Sequence, residues 1–189
     1  MNNTILEMKL MRRAMQPFVL MIYELVFETK PKNVLEIGVR QGQSTRAILS
    51  ALNERKGGIL TSIDLGAICD RVPEEFKNQW VPVSGDSHIQ ETYDKVNDKK
   101  YEIILIDGDH NYEGVKKDFE MYSPLLADNG IILMHDIINN DCGVPKFWAE
   151  IKFRSDAPWQ QIGLNYGVAG MGLIQKPPIT DGKIDYEKV

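Results

Sequence analysis

The fold is decided by the stretch YEIILIDGDHNYEGVKKDF, residues 101–119. Its apolar run is continuous rather than alternating, which is typical of a strand that is buried on both faces of a parallel sheet. The run ends on Asp107, and Asp109 and His110 follow before apolar residues recur at helical spacing. The stretch therefore predicts a buried strand, then a turn with two carboxylates and an imidazole, and then a helix.

Four further short apolar runs show the same pattern, and each is followed by a helical or polar segment. With the opening stretch, the predicted strands are residues 33–38, 58–64, 80–86, 102–107 and 130–136. The spacing leaves room for crossover helices, so the chain predicts a parallel sheet with helices on both faces. Residues 159–164 and 167–174 are separated only by a short turn, which predicts an antiparallel hairpin.

Helix boundaries are predicted from caps and turn residues. Ser44 and Thr45 are expected to cap a helix over residues 46–52. The helix after the opening strand is expected to include Leu126 and to end at Asn129-Gly130. These helices would connect the predicted strands as crossover segments.

Length and composition fit one globular domain over residues 1–189, with an N-terminal helical segment (1–30) and a polar tail (176–189). A formal net charge of −5 argues against a nucleic-acid partner, because phosphate binding needs clustered Lys and Arg. The apolar segment 18–27 is shorter than the roughly 20 residues that span a bilayer, so no membrane partner is expected. The two cysteines have no CxxC spacing, which predicts neither a disulfide framework nor a zinc site and favours the cytoplasm.

Ligands of open α/β sheets bind at the carboxyl ends of the strands, and these ends are polar here. The first strand leads into a turn with Gly38 and Gly42, where the backbone can approach a ligand closely. The turn does not match GxGxxG, and the chain has no GK[ST], so no P-loop is indicated. Asp64 ends the second strand, where a carboxylate can accept both hydroxyls of a ribose. The third strand ends in the polar residues 85–88.

Five features occur in a set order along the chain. They are VLEIGVRQGQST, Asp64, Asp86, LIDGDHNYEGVKKDF and GIILMHDI. Together they resemble the class I S-adenosylmethionine-dependent methyltransferases, and more narrowly the macrocin O-methyltransferase and cephalosporin-hydroxylase-like group of small-molecule O-methyltransferases. The resemblance covers residues 30–175. It implies an α/β fold with a Rossmann-like, seven-stranded sheet that is mostly parallel, with the last strand antiparallel and helices on both faces.

The resemblance implies a cofactor site for S-adenosylmethionine along these strand ends. It assigns the ribose to Asp64 and the adenine side to Asp86 and Ser87. The methionine part is assigned to Glu36 and to the glycine turn that follows. The complete set of residues implied to bind the cofactor is Glu36, Gly38, Arg40, Gly42, Ser44, Asp64, Asp86, Ser87 and Asp107.

The resemblance also implies a divalent cation, Mg²⁺ or Mn²⁺, held by Asp107 and Asp136, with His110 as the base that deprotonates the acceptor. His135 stands where the relatives carry a carboxylate, which favours a softer ion or no ion. The expected metal set is therefore Asp107, His135 and Asp136. Without a metal, His110 and Asp109 would act as a base and its orienting carboxylate.

The implied activity is O-methylation of a small hydroxylated molecule, sugar-containing acceptors included. A homodimer is expected only because dimers are the commonest assembly of soluble enzymes of this size. Two alternatives stay open: a nicotinamide-dependent oxidoreductase, against which the absent GxGxxG counts, and a cofactor-binding module without catalysis. Simpler roles also stay open for single residues. Asp107 and Asp109 can be helix caps, and His88 is interpreted as structural rather than catalytic.

Overall fold

The computed structural model describes residues 15–66, 72–152 and 160–175, together with the backbone of a short hairpin formed by Ile179–Thr180 and Lys183–Ile184. The predicted N-terminal helical segment is therefore described only from residue 15 onward. Most of the predicted polar tail, and the first residue of the predicted hairpin strand 159–164, lie outside the described residues.

Strands and helices alternate through the described chain. The strands of the main sheet are β1 (Asn33–Ile37), β2 (Ile59–Asp64), β3 (Trp80–Ser84), β4 (Tyr101–Ile106), β5 (Leu126–His135), β6 (Gln160–Leu164) and β7 (Met171–Gln175). The α-helices are α1 (Val19–Thr29), α2 (Gln43–Arg55), α3 (Gln90–Asp94), α4 (Tyr112–Tyr122) and α5 (Val144–Lys152), and 3₁₀ turns cover Gln16–Phe18, Glu74–Gln79 and Ser123–Leu125. None of the described helices has the length and apolar composition that crossing a bilayer requires.

The seven strands form one sheet in the order β3-β2-β1-β4-β5-β7-β6. Strands β1 to β5 are parallel, whereas β7 runs antiparallel to both β5 and β6. This confirms the predicted Rossmann-like sheet. The strand order reverses between β1 and β4, and the crevice at such a switch point is where ligands bind in open α/β sheets.

Two apolar clusters cover the two faces of the sheet. Side chains of β4 alternate between them, with Ile103 and Leu105 in one cluster and Ile104 and Ile106 in the other. Helices α1 and α2 pack on the first face, and α4 and α5 pack on the second. Burial on both faces explains why the β4 sequence is continuously apolar.

The helix predicted to include Leu126 ends earlier, at Tyr122. Pro124 has no backbone N–H to continue the helix, and a 3₁₀ turn follows instead. Leu126 is the first residue of β5. Asn129, with a φ of +63°, lies where the pairing of β5 with β4 shifts register, so Asn129-Gly130 marks an irregularity in a strand and not a helix end.

Candidate active site

A cavity of about 1140 Å³ lies at the carboxyl ends of the first five strands. Its wall contains every residue of the predicted cofactor, catalytic and metal sets except Glu36 and Gly42. The volume exceeds the roughly 300–1,000 Å³ that is usual for a single ligand pocket, so the cavity has room for a cofactor and a small acceptor together.

The glycine turn after β1 brings two loops of the cavity wall into contact. Gly38 has a φ of +91°, and a Cβ at this position would lie 2.1 Å from the backbone oxygen of Asp107. Only glycine permits this approach between the loops after β1 and β4. Gly42 has a φ of +71° and ends the turn directly before α2, while Arg40 is exposed at the cavity wall.

Asp64, the expected ribose ligand, holds the glycine turn in place. Its Oδ2 accepts the backbone N–H groups of Val39 and Arg40 at 2.8 and 2.9 Å, and its Oδ1 accepts that of Gly66 at 2.9 Å. Hydrogen bonds to an ionised carboxylate are among the stronger ones in proteins. A carboxylate has about four acceptor positions, so these bonds are compatible with a further hydroxyl donor from a ligand.

Glu36 lies beneath the cavity and not in its wall. Its side chain is fully buried, and its carboxylate accepts the hydroxyls of Ser44, Thr45 and Ser62 at 2.6, 2.8 and 2.7 Å. Burial raises the pKa of Glu36 to about 7, although the three hydroxyls act in the opposite direction. Ser44 and Thr45 are therefore inside α2, where they bond to Glu36, and are not the predicted caps. Glu36 positions Ser44, which does line the cavity.

Four titratable side chains meet where β4 and β5 end. The Nδ1 atom of His135 lies 2.9 Å from Asp107 Oδ1 and 3.4 Å from Asp136 Oδ2. His110 lies on the other side, with Nδ1 3.1 Å from Asp136 Oδ2 and Nε2 3.4 Å from Asp107 Oδ1. The His135 side chain is 4% exposed and that of His110 is 39% exposed. His110 is thus the imidazole of this group that a ligand in the cavity can reach.

The two carboxylates and two imidazoles of this group stabilise one another's charged forms. Burial lowers the pKa of His135, but hydrogen bonds and charge from Asp107 and Asp136 outweigh it and raise the pKa to about 10. Burial acts to raise the pKa of Asp107, yet His110 and His135 hold it below its usual value. The hydrogen bond to Asp107 raises the pKa of His110. The site is therefore organised by charge as well as by shape.

Asp107, His110 and Asp136 can each offer one ligand atom within 4.8 Å of the others, an arrangement that can hold a metal ion. Both carboxylates of the expected metal set belong to this cluster, but its imidazole is that of His110 and not that of His135. The Nδ1 of His135 bonds Asp107, and its Nε2 is buried without a hydrogen-bond partner among the described residues. Mg²⁺ prefers oxygen ligands, so an imidazole in this cluster favours a softer ion than Mg²⁺.

Asp109 lines the cavity but does not form the predicted pair with His110. Its Oδ1 accepts both the backbone N–H and the side-chain amide of Asn111 at 2.9 Å. The carboxylate also packs against Gly114, where a Cβ would lie 2.3 Å from it. Asp109 therefore shapes the start of α4, and the carboxylates beside His110 are those at the ends of β4 and β5.

The loop after β3 contributes Asp86, Ser87 and His88 to the cavity wall, as expected for the first two. Asp86 Oδ1 accepts the backbone N–H of His88 at 2.8 Å, which closes a tight turn. Asn139 and Met15 also line the cavity, and sequence reasoning did not identify Asn139. Asn139 follows Asp136 by three residues and donates to its Oδ1 at 3.0 Å, but an Asn near an acid is too common a signal to have identified it.

A family model described as a methyltransferase domain matches residues 35–137. The chain belongs to this methyltransferase family. The match begins in β1 and ends two residues after β5, so it contains the glycine turn and the carboxylate and imidazole side chains at the ends of β4 and β5. It confirms the methyltransferase resemblance seen in the sequence.

Solved structures share the fold of this methyltransferase domain at low sequence identity. An O-methyltransferase from Bacillus cereus, in complex with SAH, is 16% identical, with a TM-score of 0.71 over 93% of this chain and 91% of that chain. The MycE methyltransferase from the mycinamycin biosynthetic pathway, in complex with Mg and SAH, is 16% identical, with a TM-score of 0.66 over 97% of this chain and 57% of that chain. At this level of identity the likeness shows the fold.

A curated relative matches over a shorter segment. The uncharacterized protein y4gI of Sinorhizobium fredii is 35% identical over 63 residues, which are 32% of this chain and 7% of that protein. The matched segment is therefore a small part of the relative's length. This short match does not indicate an activity for the relative.

Proposed function

We propose that the protein is an S-adenosylmethionine-dependent O-methyltransferase that acts on a small hydroxylated molecule, sugar-containing acceptors included. The observation that carries the proposal is the meeting of His110 with Asp107 and Asp136 in the wall of a cavity whose other wall is the glycine turn. Membership of the methyltransferase family supports methyl transfer. The SAH in the Bacillus cereus and MycE structures supports the choice of cofactor.

The loops after β1, β2 and β3 would bind the cofactor in this proposal. Asp64 would accept the ribose hydroxyls while it fixes the turn that starts at Gly38. Asp86 and Ser87 would lie on the adenine side. The bound cofactor supplies a methyl group that is already activated on sulfur, so the protein has to align the acceptor and remove its proton.

His110 is the proposed base. An alcohol hydroxyl is a weak nucleophile until its proton is removed, and a neutral imidazole can accept that proton. Asp136 lies 3.1 Å from Nδ1 of His110 and would fix the orientation of the ring. Nε2, which lies 3.4 Å from Asp107 Oδ1, would accept the proton in the neutral form of the ring, when it no longer donates to Asp107.

Asp107 and Asp136 are the proposed ligands of a divalent cation. Bound there, a cation lowers the pKa of the acceptor hydroxyl. The Mg in the MycE structure supports this part of the proposal. In any one complex His110 is either a ligand of the cation or the base, but not both. Each role uses the single basic lone pair of a neutral imidazole.

Methyl transfer can be tested with labelled S-adenosylmethionine and a panel of hydroxylated acceptors, with and without Mg²⁺ or Mn²⁺. We expect labelled product with at least one acceptor and strong loss of product with His110→Gln. If His110→Gln instead abolishes binding of Mn²⁺, His110 is a ligand and another group is the base. Cofactor binding without product from any acceptor would favour the non-catalytic module.

A further inference from the structure

Asp118 is a buried carboxylate in α4 that the proposed reaction does not use. Its side chain is fully buried, and burial raises its pKa, although Ser87 and His88 act in the opposite direction. A buried charge is costly unless it is paired and hydrogen-bonded. The partners of Asp118 therefore indicate what it contributes.

The basic side chain that contacts Asp118 is His88, in the loop after β3. Nε2 of His88 lies 3.2 Å from Asp118 Oδ1 and 3.1 Å from the backbone oxygen of Gly114. A backbone carbonyl can only accept a hydrogen bond, so Nε2 carries a proton and faces two acceptors on α4. His88 thereby links the loop after β3 to α4.

Tyr122 makes a second link between α4 and this loop. It lies four residues after Asp118 and therefore on the same face of the helix. Its hydroxyl donates to the backbone oxygen of Ser87 at 2.8 Å, and its side chain is fully buried. One face of α4 thus holds two consecutive residues of the loop, Ser87 through its backbone and His88 through its side chain.

Asp118 also contacts the loop after β4. A Cβ on Gly108 would lie 2.9 Å from Asp118 Oδ2 and 3.0 Å from Ile37 Cγ2. The carboxylate therefore fills the space directly behind Gly108. Gly108, Ser87 and His88 all line the cavity, so α4 supports two neighbouring parts of its wall.

We propose that Asp118 and Tyr122 are positioning residues that hold the Ser87–His88 loop against Gly108 and so set the shape of the cavity on the adenosine side. This inference rests on the proposed function, which places the adenine end of the cofactor at Asp86 and Ser87. Asp118 and Tyr122 do not line the cavity and act through the loop. Loss of either contact lets the loop move and weakens binding of the adenosine portion of a ligand.

Calorimetric titration of the full chain with S-adenosylhomocysteine and with 5′-methylthioadenosine tests this inference. We expect Asp118→Asn and His88→Gln to weaken binding of both ligands by about tenfold each, and the double variant to bind no worse than either single variant, because all three break the same link. Tyr122→Phe should weaken binding by about threefold, since it removes one neutral hydrogen bond.

Val115→Ala is the matched control for a loss of stability. Val115 lies in α4, is buried in the core and has no contact role in this inference. We expect it to lower the melting temperature and leave both affinities at the wild-type value. His88 is half-buried in a loop, so His88→Gln provides the test if Asp118→Asn does not fold.

Unchanged affinity in Asp118→Asn and His88→Gln, or fully additive losses in the double variant, would overturn the positioning role. The positioning role would also be overturned if affinity fell in proportion to the melting temperature in Val115→Ala and in the other variants alike. A wild-type protein that binds neither ligand would instead overturn the proposed function itself. The two failures are therefore distinguishable.

Discussion

The two sides of the cavity are held in place by different kinds of interaction. On the side of β1 and β2, backbone N–H groups and side-chain hydroxyls bind the carboxylates of Asp64 and Glu36. On the side of β4 and β5, two carboxylates and two imidazoles hold one another. Neutral donors keep the shape of the first side, whereas the shape of the second side depends on the protonation of its imidazoles and carboxylates. This difference suits a fixed cofactor on one side and proton transfer on the other.

The largest expected effect is on the β4 and β5 side. His110→Ala should lower turnover by about a hundredfold or more, because general-base catalysis contributes roughly 10²–10⁴ in rate. Affinity for S-adenosylhomocysteine, measured by calorimetry, should stay at the wild-type value. If Asp109→Ala lowered turnover more than His110→Ala, the carboxylates at the ends of β4 and β5 would not be the groups that support catalysis. The pair of His110 and Asp109 that the sequence predicts would then be favoured again.

The next effect concerns the contact between the two sides. Gly38→Ala should lower the free energy of unfolding by about 3 kcal/mol, because its Cβ would meet the backbone oxygen of Asp107 and its φ is in the left-handed region. Gly57→Ala is the matched control, since a Cβ there has no neighbouring heavy atom within 4 Å. Denaturant unfolding of both variants provides the comparison. Equal stability of the two would mean that the loops after β1 and β4 do not need this close approach.

A smaller effect is expected on the cofactor side. Asp64→Ala should weaken binding of S-adenosylhomocysteine by about 2 kcal/mol, or some thirtyfold, because it removes hydrogen bonds to a charged group. Asp86→Ala, measured in the same titration, should cost less, since Asp86 accepts one backbone N–H, that of His88, whereas Asp64 accepts three. An affinity for Asp64→Ala equal to that of the wild type would remove Asp64 from the ribose role.

The smallest effect, taken per pH unit, is a pH dependence of stability from Glu36. Its pKa is about 7 in the folded protein against 4.5 as the ordinary value, so between these values the folded state binds more protons than the unfolded state. Glu36 therefore makes stability fall as pH rises from 4.5 to 7, by at most about 1.4 kcal/mol per pH unit. The stability difference between wild type and Glu36→Gln, measured by denaturation across this range, should follow that slope. A pH-independent difference would contradict the raised pKa.

The parallel sheet was predictable because its signal is local. Continuous apolar runs such as residues 103–106, with helix-length segments between them, define buried parallel strands, and the residues after them meet at one edge by geometry alone. This geometry brings the ends of β4 and β5 together, and the methyltransferase resemblance assigned Asp107, His110 and Asp136 to one site there.

Hydrogen-bond partners were less predictable because they depend on residues distant in the chain. Ser44 has the sequence position of a helix cap, but a buried carboxylate on β1 takes its hydroxyl. Asp109 is adjacent to His110, yet the turn directs its carboxylate to Asn111. His88 was interpreted as structural, but its partner Asp118 lies thirty residues further on. Such pairings follow from how the loops pack, and no local pattern encodes them.

The measurement that tests the central claim most directly is calorimetric titration of the purified protein with S-adenosylhomocysteine, before and after chelation and with added Mg²⁺ or Mn²⁺. The proposed cofactor site predicts saturable binding at one site. Because the cofactor side is held by backbone and hydroxyl groups, the affinity should change little when the cation is removed. No binding under any of these conditions would contradict the assignment of the cavity to S-adenosylmethionine.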